Sequence, residues 1–447
     1  MKSRFPEILF AGFIFTLGAV TAFDLNLGLA IFGAVLGLLI LFAAIIRPRT
    51  AVFVALLISA SSGAFASLAI SGIPISLSGV LTFFAIILGI IAILARPLSK
   101  ATIKAIKLNI AFIVFAIYYG LRSLTGPSLI EGLRITLLIT TPIIIGILAS
   151  QEMFKRSKTR MEVVSGLMLI PLIPITILII NVISGSLTTS ALGFKTSQFL
   201  SISGRPLALF MLPILALYVA RWRYTPGILH KISYAIASLG ITGTVITSLS
   251  RTASVIMMVL IWPGRFFKKF FSASTFAILI LVVVSFGLWL SLPEVQGRFF
   301  PNGIENFNLS MINSIDTQGR ARLWNLTWNS AIEKPVFGHG GGFAKLLVSQ
   351  TYRLDHPHND YLRVFADTGI AGVFLFLAAW GGRVLNHYKK WQKAQKTHSR
   401  TAVYHFAALL TAAAISLSFV TDNTMSYVFV TIPAFCIFSL ADTSIDE

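Results

Sequence analysis

His356-Pro357-His358-Asn359-Asp360-Tyr361-Leu362-Arg363-Val364-Phe365-Ala366-Asp367-Thr368-Gly369-Ile370-Ala371-Gly372 closes the long polar loop of this sequence and opens a hydrophobic helix. Two histidines, two acids, an asparagine, a tyrosine and an arginine crowd together here, in a chain that is otherwise mostly Leu, Ile, Phe, Ala and Val. The surroundings decide the fold class. Of 447 residues 56% are hydrophobic and 12% charged, where a soluble domain carries about 25% charged. Apolar runs of bilayer length recur from one end to the other, which no soluble core requires. The chain is therefore read as an all-α polytopic integral membrane protein, with residues 1–447 forming one membrane domain.

Hydropathy places spans near 7–23, 25–46, 51–70, 79–95, 105–121, 133–150, 161–184, 206–220, 229–250, 252–264, 271–291, 363–382, 402–420 and 424–440. That gives fourteen, or twelve full spans with short re-entrant pieces, since 252–264 is short for a bilayer. The net charge of +20 is then read by its division between the two faces rather than as a nucleic-acid signal. With the N-terminus inside, 24 of the 36 basic residues fall on cytoplasmic connections, among them Arg47, Arg49, Lys155, Arg156, Arg221, Arg223, Lys389 and Lys390. Both termini are then expected in the cytoplasm. The N-terminal stretch, with Lys2 and Arg4, lacks a small-residue cleavage site and reads as a retained first helix.

The twelve basic residues left outside include nine arginines: Arg122, Arg134, Arg205, Arg251, Arg298, Arg320, Arg322, Arg353 and Arg363. Inside, arginine and lysine are nearly balanced. A planar guanidinium suits bidentate phosphate recognition, so an arginine-rich outer face points to an anionic, phosphorylated ligand; the plainer alternative is scatter in small numbers. The single cysteine, Cys436, excludes a disulfide or a thiolate cluster within one chain. Residues 292–357 form the one long extramembrane loop. Within it, Ala321 to Lys334 reads as an amphipathic helix whose Leu323, Trp324, Leu326, Thr327 and Trp328 suit the bilayer surface. Pro335 stops it, and Gly338 to Gly342 reads as a hinge. No internal repeat is found, which argues against an inverted-repeat transporter.

Pro357 fits the first turn of a helix capped by Asp355, with His358, Tyr361, Leu362 and Phe365 on one face. The positive end of the helix dipole keeps His358 neutral, as a general base must be; the plainer role is a hydrogen bond at the interface. A metal site is not expected, because the i, i+2 spacing turns His356 and His358 apart, even with His339 nearby. Asp367 is expected to pair with Arg363 one turn away. Arg205, in Ser-Gly-Arg-Pro, and Arg251, in Ser-Leu-Ser-Arg-Thr, border apolar spans, where an ionised group needs a partner. Arg122, Arg134, Arg320 and Arg322 are candidates of the same kind, with snorkelling to lipid phosphate as the alternative.

At these residues the sequence resembles the O-antigen ligase and polymerase superfamily. His358-Asn359, nine residues, Gly369, two residues and Gly372 is similar to the ligases' His-[Asn/Ser/Gln]-x9-Gly-x-x-[Gly/Thr/Tyr] signature. Gly319 to Trp324, Gly338-His339-Gly340 and Ser250-Arg251 resemble the family too, and the similarity spans about 200–375. The resemblance implies a GT-C-like membrane glycosyltransferase of the bacterial inner membrane, metal-independent and without cofactor, with a large periplasmic loop over its site. It implies an undecaprenyl-diphosphate-linked glycan as donor and lipid A-core as acceptor. The family's essential residues carry over to His358 as general base and to Arg205 and Arg251 as the diphosphate clamp, with inversion at the anomeric carbon. Arg122, Arg134, Arg320, Arg322, His339, Asn359 and Tyr361 are the substrate-binding candidates. An O-antigen polymerase and a protein O-oligosaccharyltransferase attack the same donor and remain open. A lipid-glycan flippase would line its path with charge at several depths, whereas here the chemistry gathers on one face.

Overall fold

The computed structural model describes residues 40–62, 77–94, 99–183, 187–189, 195–197, 204–248, 250–261, 320–352 and 356–444. The expected spans 7–23 and 271–291, most of 25–46, the loop residues 292–319, and Arg298, Arg353 and Asp355 lie outside them.

The described residues are almost entirely helical, as the composition requires. In chain order they form α1 (Arg49–Ser62), α2 (Leu77–Leu94), α3 (Lys100–Leu124), α4 (Leu129–Lys155), α5 (Ser157–Leu169) and α6 (Leu172–Ile183). A small antiparallel hairpin follows, β1 (Leu187–Thr189) with β2 (Lys195–Ser197). Then come α7 (Gly204–Tyr224), α8 (Ile228–Thr247), α9 (Arg251–Ile261), α10 (Arg320–Glu333), α11 (Phe343–Tyr352), α12 (Asp360–Lys396), α13 (Ala402–Thr421) and α14 (Val428–Thr443). Among the described residues six helices are long and apolar enough to cross a membrane, and α9 and α14 are shorter apolar helices.

Local chemistry sets the boundaries. Ser99 and Ser128 cap α3 and α4 by accepting from the amides of Thr102 and Glu131. The expected single span 161–184 is interrupted at Ile170-Pro171, where the proline supplies no amide to continue the ladder, yet Ser157–Thr176 still counts as one candidate span across the interruption. Helix α14 is buried along its whole length. Its surroundings are packed through α1 and α4, with Ser59 Oγ donating to the Phe429 carbonyl (2.6 Å) and Ser439 Oγ to the Gly146 carbonyl (2.8 Å). Small residues and hydroxyls at such contacts are what apolar helices use to approach closely. Leu121, Ile130, Leu239 and Phe374 face outward, as lipid-facing positions do.

The element that positions the site is α12, which is two helices in line. Gly369 (φ 67°, ψ −169°) interrupts it. A side chain at Gly369 would collide with the Val336 carbonyl, and the positive φ is one that glycine takes without penalty. Groups freed by the break find other partners. The amides of Ile370 and Ala371 donate to the carbonyls of Pro335 (2.8 Å) and Val336 (3.3 Å). In the other direction the amides of His339 and Gly340 donate to the carbonyls of Ala366 (2.9 Å) and Asp367 (2.8 Å), and Tyr118 Oη donates to the Thr368 carbonyl (3.1 Å). The segment 335–340 thus bridges the break. Gly338 to Gly342, expected as a hinge, is a close-packed seam instead, because its backbone meets Gly126, Gly132 and Thr368 at distances that admit no side chain.

Candidate functional site

Residues 119–134, the starts of α9 and α10, residues 335–352 and 356–369 and the turn 421–427 gather at one end of the bundle. The His358 end is built on three short-range devices. Asn359, rather than Asp355, is the cap of α12: its Oδ1 accepts from the Leu362 amide (3.0 Å), and the helix begins at Asp360. Pro357 and His358 therefore precede the helix, and His358 takes a left-handed backbone (φ 55°). The shared helical face expected for His358 and Tyr361 does not form. Tyr361 turns into the bundle, its hydroxyl donating to the Ser416 carbonyl (3.2 Å) and its ring packed edge-on against Phe376 and Phe419.

His358 is held by Asn423, which the sequence reading did not single out. The His358 amide donates to Asn423 Oδ1 (3.1 Å), and Asn423 Nδ2 meets His358 Nδ1 at 2.8 Å. The indole of Trp324 adds a longer bond to the His358 carbonyl (3.4 Å). The same turn holds the next charges. Asp360 accepts from the Met425 amide (2.7 Å) and from Arg363, and Arg363 also donates to Ser426. Arg363 is fully buried and pairs with Asp360, not with Asp367. Asp367 accepts instead from the Tyr119 hydroxyl and from the Ala344 amide (2.8 Å), pinning the start of α11. The polar run Thr421-Asp422-Asn423-Thr424 between two apolar spans was the available signal for this turn.

His356 lies beside these groups, with Nδ1 buried and no hydrogen-bond partner among the described residues. Burial, reinforced by the positive charges of Arg363, Lys345 and Arg134, pushes its pKa well below the usual histidine range. A neutral His356 follows at neutral pH. Among the described residues no group of three His, Cys, Asp or Glu is placed to hold a metal ion.

The arginines divide by position. Arg251 begins α9 and is half-buried, and its neighbour Thr252 shares a hydroxyl hydrogen bond with Thr421 (2.9 Å). Two residues beyond Thr421 stands Asn423, so the start of α9 is tied to the turn that holds His358. Arg205 is the second residue of α7, which packs against α9 and α13. Arg122 donates through Nε to the Phe337 carbonyl (2.9 Å) and through a terminal nitrogen to the Gly338 carbonyl (3.2 Å), fastening the loop to α3. Arg134 is exposed and shares Glu131 with Lys345 (3.4 and 2.8 Å). Arg320 and Arg322 stand on the first turn of α10, Arg322 exposed. His339 is committed to the loop as well, with Nε2 donating to the Ser330 carbonyl (2.7 Å) and its ring stacked on Phe343 at 4.0 Å.

The amphipathic helix occupies Arg320–Glu333, within a residue of expectation, but its apolar face is shared differently. Leu323, Thr327 and Ala331 are buried, and Trp328 lies against Phe365 (5.6 Å). The first segment of α12 supplies Phe365 and Ala366 as packing partners, so Leu323 and Thr327 of that face are turned onto protein while Trp328 stays half exposed.

Two comparisons with known proteins complete the description. Residues 233–377 match the family model described as O-Antigen ligase, a stretch that contains Arg251, His358, Gly369 and Gly372. No curated protein matches the chain. The superfamily resemblance carried by the histidine motif agrees with that match, and with its run of apolar helices the chain is a multi-pass membrane protein.

Proposed function

We propose that this chain, whose residues 233–377 match the family model described as O-Antigen ligase, transfers a glycan from undecaprenyl diphosphate to a sugar hydroxyl of lipid A-core. The reaction takes place on a GT-C-like scaffold at the periplasmic face of the bacterial inner membrane, with both termini in the cytoplasm. The observation that carries this reading is the tie between the start of α9 and the His358 turn through Thr252 and Thr421. It supports a site in which Arg251, with Arg205 from the adjoining α7, meets the donor diphosphate beside His358.

In the proposed step the acceptor oxygen attacks the anomeric carbon from the face opposite the diphosphate. The glycosidic C–O bond breaks with its electron pair going to the diphosphate, and the configuration inverts. Charge grows on the leaving oxygens, and two guanidiniums offset it. They supply the positive charge that a divalent ion gives other phosphate-leaving enzymes, so the scheme calls for no metal. Arg134, Arg320 and Arg322 stand at the same end of the bundle as further phosphate or sugar contacts. The general-base role expected of His358 is the one part of the scheme that the local hydrogen bonding argues against.

The test is a transfer assay with purified protein, lipid-diphosphate glycan and lipid A-core. Arg251→Ala should lower the transfer rate by about 10² to 10³ with an unchanged thermal midpoint. Transfer at the wild-type rate would remove Arg251 from the site, and lengthening of the donor alone would assign the chain as a polymerase.

A further inference from the structure

The amide of Asn423 faces two groups of one residue, and their chemistry orients it. The His358 backbone N–H can only donate, so the atom beside it at 3.1 Å must be the carbonyl oxygen Oδ1. That leaves Nδ2, which can only donate, against His358 Nδ1 at 2.8 Å. Nδ1 must accept. Rotating the amide by half a turn would set N–H against N–H at the backbone, so the pair has one consistent arrangement. The left-handed backbone of His358 (φ 55°) brings its own N–H and its ring nitrogen to the same edge, where a single amide can read both.

We propose that Asn423 is a positioning residue that holds His358 as the neutral ring with its proton on Nε2, so that His358 serves the transfer as a hydrogen-bond donor and not as its base. This rests on the reading of the site as a glycosyl-transfer centre. An imidazolium would carry a proton on Nδ1, directed at the N–H groups of Asn423, and Asn423 therefore opposes the state that a general base must reach. A neutral N–H suits a different task. Directed at an oxygen of the departing diphosphate, it stabilises growing negative charge alongside the arginines, as neutral imidazoles do in other enzymes that polarise an anionic oxygen. The proton balance closes without a protein base. The acceptor oxygen forms its bond to the anomeric carbon while still protonated, the resulting oxonium is strongly acidic, and it passes its proton to water. The electron pair of the broken C–O bond stays on the diphosphate.

Asn423→Asp tests this with little change of shape. A carboxylate still accepts from the His358 amide, so the turn keeps its fold, but it now draws a proton onto Nδ1. Above the raised pKa of that pair, Nε2 is bare and the donor is lost. We expect transfer by Asn423→Asp at pH 8.5 to fall by about 10² and to recover as the pH drops and the ring becomes doubly protonated. His358→Gln, which keeps a neutral N–H donor and no base, should retain at least tenfold more activity than His358→Ala. A base mechanism makes the opposite demands: Asn423→Asp as active as wild type or more so at pH 8.5, and His358→Gln as inactive as His358→Ala. Either result overturns the proposal. Ring-¹⁵N spectra of histidine-labelled wild-type protein, with His358 assigned by its loss in His358→Gln, read the tautomer apart from activity. A protonated Nδ1 at pH 7 overturns the proposal even if glycan is transferred. A protonated Nε2 in a protein that transfers no glycan sustains the tautomer and removes only the ligase reading.

Discussion

Helix α12 carries a buried charged cluster at each end, and the two are built differently. At its start, each carboxylate is shared between a side chain and a backbone amide: Asp360 accepts from Arg363 and Met425, Asp367 from Tyr119 and Ala344, with Asn423 reading the edge of His358. Toward its other end, side chains on regular helices face one another, with both Asp442 carboxylate oxygens lacking a hydrogen bond among the described residues. Arg383 pairs with Asp442 (2.8 Å) and donates to the Leu108 carbonyl (2.8 Å), Lys390 reaches Asp442 at 3.8 Å, and His387 meets His405 at 3.4 Å and stacks on Phe438. Burial of charge is thus common to both, and it does not by itself mark a site. What separates them is backbone. The first cluster stands on a left-handed residue, a broken helix and a 3-10 turn at Thr424–Ser426, and the second on unbroken helix.

The largest effect that would break this contrast is at the second cluster. Asp442→Ala leaves Arg383 without its buried counter-charge, and removing one partner of such a pair costs about 3–5 kcal/mol. A lower thermal midpoint is expected, with unchanged transfer per folded molecule; a loss of transfer in folded protein would make this end functional too. Next is the break. Gly369→Ala must carry a positive φ and displace the Val336 carbonyl, a strain of about 1–3 kcal/mol, and it should loosen residues 335–340, read as faster amide exchange at Ile370 and Ala371. The smallest effect is of pH. Native His356 stays neutral, whereas the unfolded chain binds a proton below about pH 6.5. Stability should be level above that pH and fall as pH drops below it, by at most about 1.4 kcal/mol per unit. His356→Gln should flatten the profile of thermal midpoint between pH 7.5 and 5.

Much of this was legible in the sequence. The spans expected at 105–121, 133–150, 206–220 and 402–420 lie inside α3, α4, α7 and α13, because an all-round apolar run between basic connections has few other solutions. The helix expected at 321–334 is α10. What escaped was non-local. Gly369 sits in an apolar run whose periodicity continues through it, and only carbonyls from 335–336 reveal that the ladder is cut there. Asn423 lies 65 residues from the histidine it holds. Pro357 favours a helix start on local grounds, yet the side-chain oxygen of Asn359 two positions later makes the cap. Arg122 and His339 looked like ligand-facing polar groups, and their bonds to loop carbonyls needed coordinates to be seen.

The broken helix also has a mechanical meaning. Residues 335–340 bond the amides of Ile370 and Ala371 on one side of Gly369 and the carbonyls of Ala366 and Asp367 on the other, so the loop splints the break and holds the Asp360 to Thr368 segment and the helix beyond it as one piece.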